Sequence, residues 1–269
     1  MNRNNKGIQY NSALGPYEGP LNFGGHVNSS VIRSLGFLTT FSNSLTGFDV
    51  GGAAGGSDFN PLDKSEAEVQ RFCQSYMTEL CKYVGPDVDH LLMGMGVSEK
   101  ELGYLFGQYK RLNLKASSVR KKVMVGDAFH APGYAVAHYA HQMLQDRNDS
   151  LEGKRCLIVG SGKVARSLAV KLKEYGAIPL TFSDQSGFVY ESNGFTDGQL
   201  RVLTKIKDER GLTVGRYIIS STTAKFNDPE SMFDIPCDLC FPCGAMKEIN
   251  GDDVAKLADN GCMGIIEGV

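Results

Sequence analysis

Between Ser65 and Tyr83 the apolar side chains return every three or four positions. In SEAEVQRFCQSYMTELCKY, residues Val69, Phe72, Cys73, Tyr76, Met77 and Leu80 fall on one helical face. Ser65 stands where an N-cap is needed, and Glu68 three residues on completes a capping box. From Gly15 to about Gln108, short apolar strands alternate with such amphipathic helices. Further on, RCLIVG (155–160) reads as an apolar strand, 163–175 as a helix and IPLTFS (178–183) as a second strand, which makes a βαβ unit. Segments 216–220, 238–242 and 262–267 predict further strands, with a helix at 251–259 before the last and another helix around 132–145. The class implied is α/β in two lobes, 15–125 and 150–269, joined through 126–149. Residues 1–14 read as a disordered lead-in.

Composition narrows the setting. The chain has 269 residues, 42% hydrophobic and 22% charged, with a net charge of −2. Such a balance suits a globular protein and gives no reason to expect a nucleic-acid or anionic-membrane partner. The start, MNRNNKGIQY, lacks an apolar signal-type core, and no apolar run approaches the roughly 20 residues of a membrane span. Seven cysteines, an odd number scattered through predicted elements, fit reduced thiols and a cytoplasmic location better than a disulfide framework. The basic stretch from Lys110 to Lys122 reads as a linker or solvated loop.

Candidate chemistry concentrates after the first predicted strand of the second lobe. GSGKVA (160–165) sets Gly160, Gly162 and Ala165 at the G-x-G-x-x-G/A positions. In that pattern the first glycine permits a tight turn and the second lets backbone approach a pyrophosphate. The small third residue lets helix and strand pack closely. Gly160, Ser161, Gly162, Lys163, Val164 and Ala165 are therefore the expected cofactor-binding residues, with NADP or NAD as ligand. Asp184, at the end of the second strand, is placed to accept from an adenosine ribose. CDLCFPC offers Cys237, Cys240 and Cys243 at metal-like spacing, and His138 and His141 share a helical face near His130. With no second ligand cluster, no metal is expected.

The longest patterns are those of a known family. GPYEGPLNF (15–23), VNSSVIRSLGFLTTFSNSLTG (27–47), GGAAGGSDFNPLDKSEAEVQRFCQSYMTEL (51–80) and GVSEKELGYLFGQYKRL (96–112) together resemble the hexameric glutamate dehydrogenases from about Gly15 to the end. The resemblance implies a mixed-sheet first lobe, a hinge helix near 132–145 and a truncated Rossmann-type second lobe. It also implies that the family's catalytic lysine position is held by Ala54. Two lysines that bind substrate carboxylate in the family match Glu18 and Ser42, and an aspartate that moves protons matches Gly94. In AFHAPGYA (128–135), Ala128 and Pro132 stand where side chains hold the nicotinamide end. Gly51, Gly52, Gly55 and Gly56, around Ala54, suggest a tight strand-to-helix turn.

Reductive amination of a 2-oxo dicarboxylate needs cations for two carboxylates, an amine of lowered pKa and a proton-shuttling carboxylate. Ala54, Ser42 and Gly94 supply none of these. A bare Glu18 charge about 4 Å from a substrate carboxylate would repel it by roughly 4 kcal/mol at intermediate dielectric. The expected reading is therefore a catalytically inactive homologue, with no catalytic residue, acting in a structural, regulatory or nucleotide-binding role. It would work in a homo- or hetero-oligomer, with an active homologue as one such partner. The rival is an active NAD(P)-dependent amino-acid dehydrogenase with an altered site, for which Lys64, Lys82 and His90 are the ionisable candidates. Set against the family, the chain is short at both ends, so exposed apolar surface is expected.

Overall fold

A computed structural model describes residues 5–113, 131–209, 212–244 and 249–268. The chain divides into two compact units, Met1–Asp127 and Ala128–Val269.

The first unit is a four-stranded mixed sheet with helices on both faces. Its strands are β1 (Asn5–Asn11), β2 (Tyr17–Phe23), β3 (Gly52–Ser57) and β4 (Asp89–Met93), in the order β1-β3-β2-β4. β1 runs antiparallel to β3, and β2 is parallel to both β3 and β4. The described residues of this unit also form three α-helices, α1 (Ser29–Leu45), α2 (Glu66–Leu80) and α3 (Glu99–Leu112). The α2 start follows the sequence, with Ser65 and Glu68 forming both bonds of the capping box. Its apolar stripe of Val69, Phe72, Cys73, Tyr76 and Met77 is buried against Leu21, Phe23 and Leu91 of the sheet. Strand alternation sends Ala54 the other way, into a smaller cluster with Val27 and Ile32 of the α1 side.

Residues 5–11 correct the expected disordered lead-in, because they pair along β3 from Asn5↔Ser57 to Asn11↔Gly52. The polar letters that suggested disorder lie on an edge strand, where polar side chains reach water. The glycines around Ala54 are also not a strand-to-helix turn. Gly52, Gly55 and Gly56 lie inside β3, with Gly51 at its mouth. A Cβ at Gly51, Gly52 or Gly56 would strike the Asn11 carbonyl, Thr40 or the Asn22 carbonyl, so close packing requires them. Lys110 and Arg111 form the last turn of α3 rather than a linker, where cations suit the helix C-terminus. The rest of that basic stretch lies outside the described residues.

In the second unit, α4 (Ala131–Gln145) packs on α5 (Lys163–Glu174) so closely that a Cβ at Gly133 would meet the Leu168 amide and Ser167. A parallel sheet contains β5 (Arg155–Val159), β6 (Ile178–Pro179), β10 (Leu239–Pro242) and β11 (Gly264–Ile265), in the order β11-β10-β5-β6. A second, antiparallel set comprises β7 (Thr181–Asp184), β8 (Gly187–Tyr190) and β9 (Lys225–Asn227). Helices α6 (Asp197–Asp208) and α7 (Gly251–Asp259) complete the unit.

Two predicted strands change here. The single strand at 178–183 divides after Pro179. Beyond it, the Thr181 hydroxyl donates to the Ile158 carbonyl and accepts from the Ile158 amide, both at 3.0 Å, in place of a ladder bond. The apolar run at 216–220 lies in a 3-10 helix, Val214–Ser220. Val214 and Tyr217, three apart, are both fully buried while Ile219 is 77% exposed, a three-residue period that short apolar runs conceal.

Candidate functional site

The first unit brings Glu18, Ala54 and Gly94 to the side of its sheet on which α1 packs over Ala54. Ala54 is 4% exposed and filled round by Val27, Ile32, Ile8 and Leu35. Ser42 lies exposed on α1, while its neighbour Asn43 turns inward and donates to the carbonyls of Glu18 at 3.2 Å and Gly51 at 2.7 Å. Gly94 follows β4, and a Cβ there would come within 2.6 Å of both Asn22 Oδ1 and the Leu21 carbonyl. Asn22 Oδ1 already accepts from the Met95 amide at 2.8 Å, so this space is filled.

Glu18 is not the bare charge that the sequence suggests. The β2–β4 register sets Glu18 beside His90, and Glu18 Oε2 lies 3.0 Å from His90 Nδ1 with both side chains buried. His90 Nε2 donates to the Pro86 carbonyl at 2.8 Å, since a carbonyl only accepts. Two acceptors would repel at the Glu18–His90 distance, so one proton lies between them. Both nitrogens of His90 are thereby engaged. Lys82 is surface-exposed and paired with Glu79, and Lys64 donates to the Asp63 carbonyl. Neither is placed among Glu18, Ala54 and Gly94.

The opposite face of the same sheet borders a cavity of about 340 Å³ under α2, lined by Leu21, Ala53, Leu91, Tyr76 and Leu80. Asp89 reaches it, accepting from Gln9 Nε2 at 3.0 Å. Burial pushes the Asp89 carboxyl up to about 6, against the opposing pull of Gln9 and His90.

The second unit holds the glycine loop between β5 and α5. Gly160 has φ 101° and a Cβ there would lie 2.8 Å from the Gly244 amide, so both turn geometry and packing demand glycine. Gly162 differs. Its backbone is extended and nothing lies within 4 Å of a Cβ placed there, so neither strain nor packing explains it. Space above it does. Helices α1, α2, α3, α6 and α7 each start on a capping side chain. In contrast, α5 starts on Gly162 with no side-chain cap and no acidic residue in its first turn, Lys163 to Ala165. Uncapped amides beneath an open glycine fit a pyrophosphate. Ser161 is 5% exposed and Ala165 fully buried, closing the packing below, while Val164 is half-buried.

Asp184 sits at the end of β7, but its carboxylate is already held. Oδ1 accepts from the Ser186 amide and hydroxyl, at 3.0 and 2.6 Å, and Oδ2 from Lys207 Nζ at 3.0 Å and the Val214 amide at 2.7 Å. Burial works against its charge, yet the bonds from Ser186, Lys207 and Val214 prevail and hold the carboxyl below the usual range. Neither Lys207 nor Val214 carries a sequence signal linking it to Asp184; folding of α6 and the following 3-10 turn brings them there.

The spaced cysteines do not converge. Cys237 and Cys240 pack in the cluster with Met232 and Leu257, and Cys243 in the cluster on the sheet's other side. His138 Nδ1 is 3.2 Å from the Tyr175 hydroxyl and His141 stacks on the Tyr175 ring at 4.4 Å. Among the described residues no group of three or more His, Cys, Asp or Glu is arranged to hold a metal. Pro132 lies in the first turn of α4 and brings no amide donor. Ala128 and His130 lie outside the described residues.

A mixed-sheet unit followed by a Rossmann-type unit with an open glycine loop defines a two-unit α/β protein. Residues 4–111 match the Glu/Leu/Phe/Val dehydrogenase dimerisation domain and residues 126–269 the Glutamate/Leucine/Phenylalanine/Valine dehydrogenase domain, and the chain belongs to that family. It is 41% identical over 97% of its length to an NADP-specific glutamate dehydrogenase of Helicobacter pylori, covering 60% of that protein. An NADP-specific glutamate dehydrogenase of Chlorella sorokiniana is also 41% identical, with 51% of its length covered. The crystal structure of Plasmodium falciparum glutamate dehydrogenase superimposes with a TM-score of 0.93 at 38% identity, over 99% of this chain and 58% of that one. The chain therefore spans little more than half the length of these relatives. No helix among the described residues is long and apolar enough to cross a membrane.

Proposed function

We propose that this chain is a glutamate-dehydrogenase-type protein without dehydrogenase activity, which keeps a nucleotide-binding loop and acts as a structural or regulatory member of a cytoplasmic oligomer. The observation that carries this reading is the state of the α1-side sheet face. Ala54 is packed in an apolar cluster, Asn22 fills the space beside Gly94, and Glu18 is tied to His90. A dicarboxylate meeting these residues would find neither a cation nor a base. His90, the strongest candidate for an altered active site, has both ring nitrogens engaged, by Glu18 and by the Pro86 carbonyl.

The retained element is the loop from Gly160 to Ala165. NADP or NAD would rest its pyrophosphate on the first-turn amides of α5. Asp184 is matched by Lys207 and so need not repel a 2′-phosphate, which favours NADP. The adenine-containing half would carry most of the affinity, so ADP should compete well. Oligomer formation would use the first unit, where Phe37, Phe41, Leu45 and Phe48 are 46%, 57%, 87% and 72% exposed.

Two measurements test this reading. Purified protein assayed with NADPH or NADH, 2-oxoglutarate and ammonium should show no turnover, and a rate comparable to active relatives would overturn the assignment. Titration calorimetry with NADPH, NADH and ADP should give binding that Gly162→Val abolishes. If none of the three binds, the nucleotide role is removed and only a structural one remains.

A further inference from the structure

A second chemical site lies at the opposite end of β10 from the glycine loop. β10 and β11 pair in parallel at Leu239↔Gly264 and Cys240↔Ile265, and the Met263 amide extends the pairing by donating to the Asp238 carbonyl at 2.8 Å. One further step in this register brings Cys237 beside Cys262, and both pack in the cluster that holds Met232, Phe233 and Leu257. Neighbouring strands lie about 4.8 Å apart, inside the roughly 4.4–6.8 Å Cα separation that a disulfide spans.

The two thiols are unequal. Cys262 follows the C-terminal turn of α7, is only partly buried, and also faces the Gly264 carbonyl at 3.3 Å. Cys237 is 4% exposed against Met232, Phe233 and Leu257. The Cys237 hydrogen bond, followed by backbone bonds, pulls the Cys262 thiol down to about 7 despite burial and Asp238. Contact with Cys262 and burial push Cys237 up, and burial also pushes up Cys156 and Cys240. The cluster thus sets one partly exposed thiol beside one buried thiol, the division between an attacking and a resolving cysteine.

We infer that Cys262 and Cys237 form a peroxide-reactive dithiol–disulfide site. The Cys262 thiolate attacks one oxygen of hydrogen peroxide, so that an S–O bond forms and the O–O bond breaks. The departing hydroxide takes a proton to become water, and the sulfur, oxidised by two electrons, becomes a sulfenic acid. Cys237 then loses its proton and attacks that sulfur; the S–S bond forms, the S–O bond breaks, and hydroxide leaves with the proton as water. Two thiols and one peroxide give one disulfide and two waters. The bridge would fasten β11 and the end of α7 to the start of β10.

The full chain, treated with stoichiometric hydrogen peroxide, blocked with N-ethylmaleimide and digested with trypsin without reduction, should yield one cross-linked pair of peptides 226–247 and 257–269, in which fragmentation places the bridge at Cys237 and Cys262 and N-ethylmaleimide on Cys240 and Cys243. Dithiothreitol should reverse it. Cys262→Ser should remove both the cross-link and the fast peroxide consumption. Cys237→Ser should leave a Cys262 sulfenic acid that dimedone traps, while Cys156→Ser should change neither. A wild-type cross-link joining other cysteines, dimedone labelling of Cys262 without any bridge, or all seven thiols surviving peroxide would overturn the inference. Each of these outcomes is read on the wild-type protein, so a variant that fails to fold does not obscure the result.

Discussion

At the scale of single residues, the packing around a position matters as much as the side chain that occupies it. Ala54 is enclosed by Val27, Ile32, Ile8 and Leu35, so a lysine there must push its stem through apolar neighbours. Ala54→Lys should give no glutamate-dependent NADPH formation and should lose about 1–3 kcal/mol from overpacking, read as a lower melting temperature. Activity in that single variant would overturn the inactive reading. Glu18→Ala strands a buried imidazole and should cost about 3–5 kcal/mol by breaking a buried pair, measured by urea unfolding. Asp89 supplies a pH signature. Its carboxyl lies at about 6 in the fold because of burial, above the ordinary value near 4. Between those values the folded state binds more protons than the unfolded state, so stability rises as pH falls from 6 to 4 and is lost as pH rises through 6. Asp89→Asn should flatten this dependence, removing a difference on the order of 2 kcal/mol. Equal slopes in both proteins would show that Asp89 is not the source.

At the scale of elements, the glycine loop separates two kinds of glycine that one motif lists together. Gly160 is demanded by φ 101° and by the Gly244 amide, whereas Gly162 has open space in front of it. Gly162→Val should therefore keep the melting temperature of the parent and abolish nucleotide binding in calorimetry. Gly160→Val should lose stability whether or not nucleotide is present. If Gly162→Val unfolded the protein instead, the open-cradle argument would fail. The motif was legible because the turn, the close backbone approach and the tight helix–strand contact each restrict one position to a small residue. Asp184 was legible as a position but not as a partner, since Lys207 and Val214 reach it only after α6 has folded back across β7.

At the scale of the whole molecule, α1 carries an apolar stripe on its outer side. Phe37, Phe41 and Leu45 recur at four-residue spacing and remain exposed, continued by Phe48, in the unit that matches a dimerisation domain. Phe41→Asp combined with Leu45→Glu should shift the assembly to smaller species in size exclusion with light scattering, with far-UV circular dichroism unchanged. The same assembly in parent and variant would place the contact elsewhere.

Local periodicity settles what a single element can decide alone. The α2 stripe and capping box, the βαβ order and the glycine loop all lie within short windows, and each follows from side-chain spacing and backbone sterics. The sequence also carries the resemblance by which Glu18, Ser42, Ala54 and Gly94 are matched to the family's substrate positions. It could not show what surrounds them. The Glu18–His90 pair joins residues 72 positions apart, and Asn22 meets Gly94 across two strands. The Cys237–Cys262 pair arises from the β10–β11 register. Polar lead-in residues became an edge strand because β3 offered an unpaired ladder, and an apolar run became a 3-10 turn because Val214 and Tyr217 had to share one buried side. Such outcomes depend on register between distant strands and on competition for buried space, and only the folded chain fixes these.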